Sequence, residues 1–354
     1  MRRLALLSVF TSLAGAASAQ DFDGAVLRGS SGFQPAAPVY AADAAGPSFP
    51  IDADAPIEPL VAAPGLPTMG DFRVELGGRF WYSSGSFAKN LFDDPRFSNN
   101  LNSRLTYSSL TGRSYELFGR IDHTSGFFLK GFIGLGGISG GTLTDEDFPP
   151  ALVPYSNTRS DQRGGRLSYA TVDFGYDILN TPNYRVGVFA GYNYMGESAN
   201  AYGCTQTAGN IDVCVPTIPT SVLAITEDAA WHSIRLGVAA DVLLFDRLRL
   251  GAEAAWMPFT HMVSTDTHWL RQDIFGAIPE HGNGSGVQLE AFASYQFTEA
   301  FSVGTGARYW RMHASGIIDL ENAENFIFAV PLPGTFTTDR FGVFAQAAYK
   351  FCLD

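Results

Sequence analysis

The sequence is poor in lysine and in long apolar runs. It contains three lysines, Lys89, Lys130 and Lys350, and its net charge of −12 offers no basic surface for nucleic acid. No stretch reaches the roughly eighteen uninterrupted apolar residues that a membrane helix requires. These absences exclude a helical membrane protein and leave a nucleic-acid partner without support.

Charged residues are also scarce, at 16% of the chain, whereas aromatic residues and glycine are abundant. The chain has 28 Phe, 14 Tyr and 38 Gly. A typical soluble domain carries about 25% charged residues. A lipid-facing β-barrel accounts for this mixture, because aromatic residues collect at the two membrane interfaces and small residues fit a crowded or watery interior.

The first 70 residues differ in composition from the rest of the chain. Arg2 and Arg3 form a basic start, a short apolar stretch follows, and small residues at 17–19 suit a cleavage site. We therefore expect residues 1–19 to be a signal peptide. Residues 20–70 are rich in Ala, Pro, Gly and Asp without any periodicity, which predicts a disordered periplasmic leader.

From Asp71 onward, apolar residues recur at every second position, as in a strand with two different faces. The clearest run extends from Phe341 to Phe351. One face is expected to meet lipid and the other a polar lumen. Turn signals divide residues 71–354 into ten strands. Their predicted bounds are about 71–86, 104–122, 127–143, 166–179, 184–202, 225–243, 247–263, 285–297, 300–317 and 338–352.

The predicted fold is an all-β, ten-stranded antiparallel transmembrane β-barrel with long outer loops. Short connections alternate along the chain with long polar ones, which are predicted at 87–103, 144–165, 203–224, 264–284 and 318–337. In outer-membrane barrels the short turns face the periplasm and the long loops face outward, so we expect an outer-membrane location. The strands exceed the roughly 9–11 residues that cross the hydrocarbon, so the barrel should rise above the membrane as a rim.

The three cysteines predict one disulfide. Cys204 and Cys214 lie ten positions apart in a polar segment, and they are expected to pair in an oxidising compartment. Metal binding there is disfavoured, since no nearby His or second Cys pair completes a site. Cys352 is left as a free thiol without an assigned role.

Two groups of titratable residues stand at the outer ends of predicted strands 3 and 7. Residues i and i+2 of a strand share a face, so Asp145 pairs with Asp147 and Asp266 pairs with His268. Two close carboxylates raise one pKa, and an Asp keeps a neighbouring His basic, as a general base requires. Four such groups around one water could hydrolyse an amide bond. Each motif alone can equally be a solvated loop or a weak cation site.

If the apolar alternation of the seventh predicted strand (247–263) continued without interruption, Asp266 and His268 would point toward lipid. We therefore predict a β-bulge near Met257-Pro258 that resets the register of this strand. The glycine-rich run 136–141 can reset strand 3 in the same way. Both changes would turn the titratable pairs toward the lumen.

From about Leu110 to Phe351 the chain resembles the omptins, a family of outer-membrane aspartate-histidine endopeptidases. Four stretches carry this resemblance. They are LTGRSYE (110–116), GTLTDEDF (141–148), NYRVGVFAGY (183–192) and DTH (266–268). The resemblance implies a tall ten-stranded barrel with five outer loops, which agrees with the strand count above.

The resemblance also implies roles for individual residues. Asp145 with Asp147 and Asp266 with His268 match the two catalytic pairs, in which His268 would activate a water and Asp266 would orient it. Asp145 and Asp147 would hold the water and the scissile carbonyl. Two further positions, Glu116 and Ser264, match those at which the family binds a basic side chain before the cut, although Ser264 carries no charge.

No cofactor is expected, but the resemblance implies lipopolysaccharide as a partner required for activity, with a peptide or protein as the substrate. Candidate lipopolysaccharide contacts, by location only, are Arg159, Arg163 and Arg166, although solvated loop charges are the favoured interpretation of these residues. The alternative function is a non-catalytic outer-membrane barrel, acting as an adhesin, a structural protein or a small channel. Paired lumen charges would oppose a channel. Candidates are Arg235, Asp241, Arg249, Glu253 and Arg308.

Overall fold

The structure is a computed structural model, and it describes residues 71–96, 98–148, 153–271, 277–320 and 330–353. The predicted signal peptide and leader lie outside these residues. Among the described residues, no helix has the length and apolar character needed to span a membrane.

The described region consists of antiparallel strands, each paired with a sequence neighbour. Their bounds are β1 (Phe72–Phe92), β2 (Leu101–His123), β3 (Phe127–Asp147), β4 (Ser156–Gln162), β5 (Gly165–Asn180), β6 (Tyr184–Gln206), β7 (Ile218–Leu244), β8 (Leu248–His268), β9 (Ala277–Gln296), β10 (Phe301–Leu320) and β11 (Val330–Leu353). The first strand, β1, also pairs with the last, β11, so the sheet closes into a ring.

The ring has ten strand positions, which confirms the predicted barrel, because β4 and β5 share one position. Both strands pair with β3 on one side and with β6 on the other. The break between them falls next to Gly164, whose φ of 68° favours glycine. Strand β4 was not predicted, because its residues fall in the predicted outer loop 144–165.

Several strands extend further outward than predicted. β8 continues to His268 and β9 begins at Ala277, so most of the predicted loop 264–284 is strand. β1 likewise extends to Phe92. Above the membrane the outward side chains meet water, and the buried inward side chains are a mixture of apolar and polar residues. The apolar alternation that marks a strand is therefore weak there. The outcome is a tall rim of paired strands.

A belt of exposed apolar side chains surrounds the part of the barrel nearer the short turns. Its members alternate with inward-facing residues along each strand, as lipid contact requires. Representative belt residues are Leu76, Leu117, Leu135, Phe174, Trp256 and Val343. The predicted outward apolar face is therefore present, and the rim begins where this belt ends.

The lumen inside the belt is filled by charged pairs. Arg308 Nη1 donates to Glu116 Oε2 at 2.7 Å, and Arg249 Nη1 donates to Glu75 Oε2 at the same distance. The Arg308 guanidinium also lies 4.0 Å from the centre of the Phe132 ring. The predicted pairing of lumen charges is confirmed. Three of the pairs are Arg235–Glu253, Arg249–Asp241 and Arg308–Glu116.

Two irregularities exchange the inward and outward faces of β8 and β3 above the belt. In β8 the pairing with β9 shifts between Met257 and Thr260, and the buried positions change there from odd to even numbers. In β3 the corresponding change lies between Ile138 and Leu143, and it includes Gly141 with a φ of 145°. Both predicted register changes are confirmed, and both turn the strand ends toward the lumen.

Candidate active site

Asp266 and His268 face the lumen at the outer end of β8. His268 Nε2 lies 2.9 Å from Asp266 Oδ2, and the two side chains are only 11% and 3% exposed. With Nε2 donating to the carboxylate, Nδ1 is the ring nitrogen left to accept a proton. The bulge at Met257 is what makes this pair possible, because it turns both residues inward.

The electrostatics of this pair favour a charged histidine beside a charged aspartate. Burial alone would raise the pKa of Asp266, but His268 and Lys89 hold it well below its usual range. Burial alone would lower the pKa of His268, but Asp266 outweighs burial and raises it. His268 therefore takes up a proton more readily than a free imidazole, as a general base must.

Asp145 and Asp147 lie at the outer end of β3, where β2 and β4 flank them. Burial, followed by the neighbouring Asp147 carboxylate, raises the pKa of Asp145 to about 7. Burial also raises the pKa of Asp147, although Arg271 and a hydrogen bond from Ser103 oppose this. The pair can therefore hold a proton near neutral pH.

The two pairs act on each other, so they belong to one cleft. The charges of His268 and Asp266 both shift the pKa of Asp145, and His268 also acts on Asp147. Asp145 in turn contributes to the raised pKa of His268. Such mutual effects require short separations, because charge interactions weaken with distance. The structure thus brings the four residues together at the rim.

A buried lysine that the sequence analysis missed lies next to this cleft. Lys89 Nζ is 2.6 Å from Asp266 Oδ2, 2.8 Å from Glu227 Oε2 and 2.7 Å from Glu280 Oε1. None of these four residues is more than 3% exposed. We refer to Glu227, Asp266 and Glu280 as the acidic pocket. Asp266 belongs to this pocket and to the pair with His268.

The inward position of two residues of this cluster could have been predicted from the sequence. Lys89 has the same strand parity as the inward residues Trp81 and Phe87 of β1, so its inward position follows from the alternation. Glu227 has the parity of the inward Trp231 of β7. Glu280 falls in the predicted outer loop 264–284, where no alternation could be used.

The acidic pocket has the spacing of a metal site, since its carboxylate oxygens lie within 4.8 Å of one another. The Lys89 ammonium contacts all three carboxylates, so it stands where a cation would bind. Burial would lower the pKa of Lys89, but the three acids raise it well above its usual value. The pocket therefore already contains a permanent positive charge.

The predicted substrate-binding residues Ser264 and Glu116 lie in different parts of the barrel. Ser264 Oγ donates to Glu227, so Ser264 is part of the surroundings of the acidic pocket. Glu116 lies in the lumen within the apolar belt, where Arg308 and Arg79 bind its carboxylate oxygens. Its charge is already balanced there, and the structure does not bring Glu116 to the cleft, contrary to the expectation.

The disulfide predicted between Cys204 and Cys214 is present, with a Cα–Cα distance of 5.6 Å. It joins the outer end of β6 to the connection that follows. Cys352 is free and exposed near the end of β11.

The three arginines proposed for lipopolysaccharide face outward around the break between β4 and β5. All three are exposed. Arg163 Nη2 lies 3.0 Å from Asp161 Oδ2, and Arg166 Nη2 lies 3.9 Å from Asp228 Oδ1. They therefore form an outward, partly compensated basic patch on the rim.

Comparisons with known proteins add a family and a fold. The Omptin family model matches residues 129–325, which is more than half of the chain. The crystal structure of the outer membrane protease OmpT from Escherichia coli matches with a TM-score of 0.67 at 15% identity, covering 79% of this chain and 97% of that chain. At this identity the match shows the fold alone.

Other matches are weaker. The translocator domain of the autotransporter NalP from Neisseria meningitidis gives a TM-score of 0.30 at 9% identity, covering 78% of this chain and 88% of that chain. The toluene transporter TodX from Pseudomonas putida gives 0.27 at 10% identity, covering 80% and 90%. Comparison with curated protein sequences finds no match.

Proposed function

The chain belongs to the omptin family, and on this premise we propose that it is an endopeptidase that hydrolyses peptide bonds at the outer rim of its barrel. Family membership and the shared barrel fold place the protein in the outer membrane. The cleft between the ends of β3 and β8 is the proposed active site. Its proposed catalytic residues are Asp145, Asp147, Asp266 and His268.

The observation that carries this proposal is the mutual electrostatic effect of the two pairs. Asp145 has a pKa raised to about 7, and His268 has a raised pKa of its own. A group that gives a proton and a group that takes one are therefore both available near neutral pH. That combination suits amide hydrolysis by a bound water without a covalent intermediate.

In the proposed mechanism, His268 Nδ1 takes a proton from a water held between the two pairs. The resulting hydroxide forms a C–O bond with the scissile carbonyl carbon, and protonated Asp145 donates to the carbonyl oxygen as it becomes negative. Asp147 orients the water, and Asp266 stabilises the imidazolium. When the C–N bond breaks, the proton on His268 passes to the leaving amine.

Lipopolysaccharide is the proposed membrane partner of the barrel. Arg159, Arg163 and Arg166 face outward above the apolar belt, where phosphate groups of an outer-leaflet glycolipid would lie. Arg is suited to bidentate phosphate contacts. The paired charges of the lumen argue against the alternative function of a small channel.

The test is to refold the full chain with lipopolysaccharide and to assay it on a peptide library. His268→Ala should reduce kcat/KM by about 10²–10⁴-fold, because it removes the general base. His313→Ala is the matched control, since His313 is an exposed outer-face histidine that contacts Thr337. No cleavage by the wild type, or cleavage equal in His268→Ala, would remove the proposal.

A further inference from the structure

Lys89 reaches across the lumen from β1 to the opposite wall formed by β7, β8 and β9. Its ammonium donates to one carboxylate on each of these strands, Glu227, Asp266 and Glu280. A lysine ammonium has three donors, so this one is fully used. Its charge is balanced by the opposite wall rather than by its own strand.

The arrangement has the chemistry of a bound basic side chain. An alkyl stem carries an ammonium into a buried group of carboxylates, and one of these carboxylates also binds the proposed general base His268. The pocket has further acceptor capacity. Among the described residues, Asp266 Oδ1 and Glu280 Oε2 are buried without a hydrogen-bond partner. A cation therefore suits this pocket, and the chain supplies one.

We propose that Lys89 is a tethered occupant of the acidic pocket, and that it excludes Lys and Arg side chains of the substrate from this pocket. This inference rests on the proposed peptidase function and names its substrate class. The site cleaves peptides with a neutral residue, rather than a basic one, at the position that faces the acidic pocket.

Charge explains the exclusion. A substrate ammonium or guanidinium entering beside Lys89 would place two positive groups together in a buried region, where like charges repel strongly. It would also have to compete for carboxylates that Lys89 already holds at 2.6–2.8 Å. A neutral side chain meets neither cost. Burying a second unpaired charge is costly in any protein interior.

The pocket is also connected to the catalytic pair through a single atom. Lys89 Nζ and His268 Nε2 both lie within hydrogen-bond distance of Asp266 Oδ2. Removing the ammonium leaves that oxygen to His268 alone. Lys89 is thus a specificity-determining residue and also a positioning residue for the pair.

The first experiment measures amine binding and does not depend on catalysis. Lys89→Ala removes the part of the side chain that propylammonium reproduces, so the refolded variant should bind propylammonium at least tenfold more tightly than the wild type. Lys89→Met keeps the volume without the charge and should show no such gain. Lys350→Ala, which alters a lysine whose Nζ lies 3.7 Å from Glu75 Oε2, is a second control. Propanol is the neutral probe.

Folding of the variant is itself informative. If Lys89→Ala refolds only with propylammonium present, that dependence supports the proposal. If it does not refold, the double variant Lys89→Ala/Glu227→Gln, which has one uncompensated carboxylate fewer, is measured in the same way. The absence of any amine-dependent binding or folding in both variants overturns the proposal.

The second experiment compares cleavage of peptides that carry Arg or a neutral residue at the cut. Wild-type protein should prefer the neutral residue at least tenfold, and Lys89→Ala should shift this preference toward Arg by a similar factor. A wild type that prefers Arg overturns the proposal. An inert wild type with amine binding in Lys89→Ala removes the peptidase function and still supports the tethered cation.

Discussion

At the residue scale, the proposed chemistry of the cleft depends on the protonation states of two side chains. In the proposed mechanism, His268 must be without its extra proton to activate the water, whereas Asp145 must carry its proton to polarise the carbonyl. Both pKa values are raised, that of His268 by Asp266 acting against burial, and that of Asp145 by burial and by Asp147, to about 7. The active form therefore exists over a limited pH range.

We predict a bell-shaped dependence of kcat/KM on pH with a narrow maximum near neutral pH. Activity should rise as His268 loses its proton and fall as Asp145 loses its proton. Asp147→Asn removes the charge that helps to raise the pKa of Asp145, so the alkaline limb should move to lower pH. The measurement is kcat/KM from pH 5 to pH 9.

Glu146→Gln is the control for this profile. Glu146 lies between the two aspartates but binds Arg104 at 2.7 Å, so its loss should leave both limbs in place. An alkaline limb that stays unchanged in Asp147→Asn would contradict the assignment of that limb to Asp145.

The four proposed catalytic residues could be predicted from the sequence, whereas the partners of Asp266 could not all be found. The i, i+2 spacing identifies Asp145 with Asp147 and Asp266 with His268, because strand geometry alone puts such residues on one face. The contact of Lys89 with Asp266 depends on how strands about 180 positions apart face each other across the lumen. The alternation of residues within one strand does not show which residues of distant strands face each other.

At the scale of the element, the site depends on two places where a strand changes its inward face. In β3 the change passes through Gly141, whose φ of 145° is accessible mainly to glycine. A Cβ at this position would lie 2.8 Å from the Ser108 carbonyl oxygen and 3.0 Å from Leu110. The adjacent Gly140 has open space at the same point.

Gly141→Ala should therefore destabilise the barrel by about 1–3 kcal/mol, the usual cost of such a strained backbone. Because the strain lies four residues before Asp145, peptidase activity should fall with it. The measurements are urea unfolding of the refolded barrel and kcat/KM. Gly140→Ala is the neighbouring control and should stay within about 0.5 kcal/mol of the wild type. Equal behaviour of the two variants would contradict the role of Gly141.

Strand existence was easier to predict than strand length. Inside the membrane, lipid on one side and the lumen on the other impose a strict alternation, as in the run from Phe341 to Phe351. On the rim the outward face meets water and the inward face mixes polar with apolar residues, so β4 and the outer end of β9 were assigned to loops. Glu116 lies in the lumen within the apolar belt and not at the cleft, which the sequence could not show. A match of residue type does not give height along the barrel.

At the scale of the whole molecule, the barrel is held together across its lumen by buried charge pairs. Arg308 is a central example, because its guanidinium reaches both Glu116 and Glu290 and is itself fully buried. Removing one member of such a group leaves the others buried without compensation. That loss typically costs about 3–5 kcal/mol.

Arg308→Met should accordingly lower the free energy of unfolding by about 3–5 kcal/mol. Arg311→Met is the control on the same strand, since Arg311 is exposed on the outer surface and its loss should cost about 0.5 kcal/mol or less. Urea unfolding in detergent, followed by tryptophan fluorescence, measures both. A similar small loss in both variants would show that the lumen pairs contribute little.

The pairing of β1 with β11 has a consequence for how the chain matures. Phe72 pairs with Leu353, about 280 positions later. One edge of the first strand therefore has no hydrogen-bonding partner until the last strand has been exported. Unpaired strand edges can form hydrogen bonds with strands of other chains. During export the chain must therefore be kept apart from other copies until its last strand is available. A chain that lacks this strand could not close the barrel.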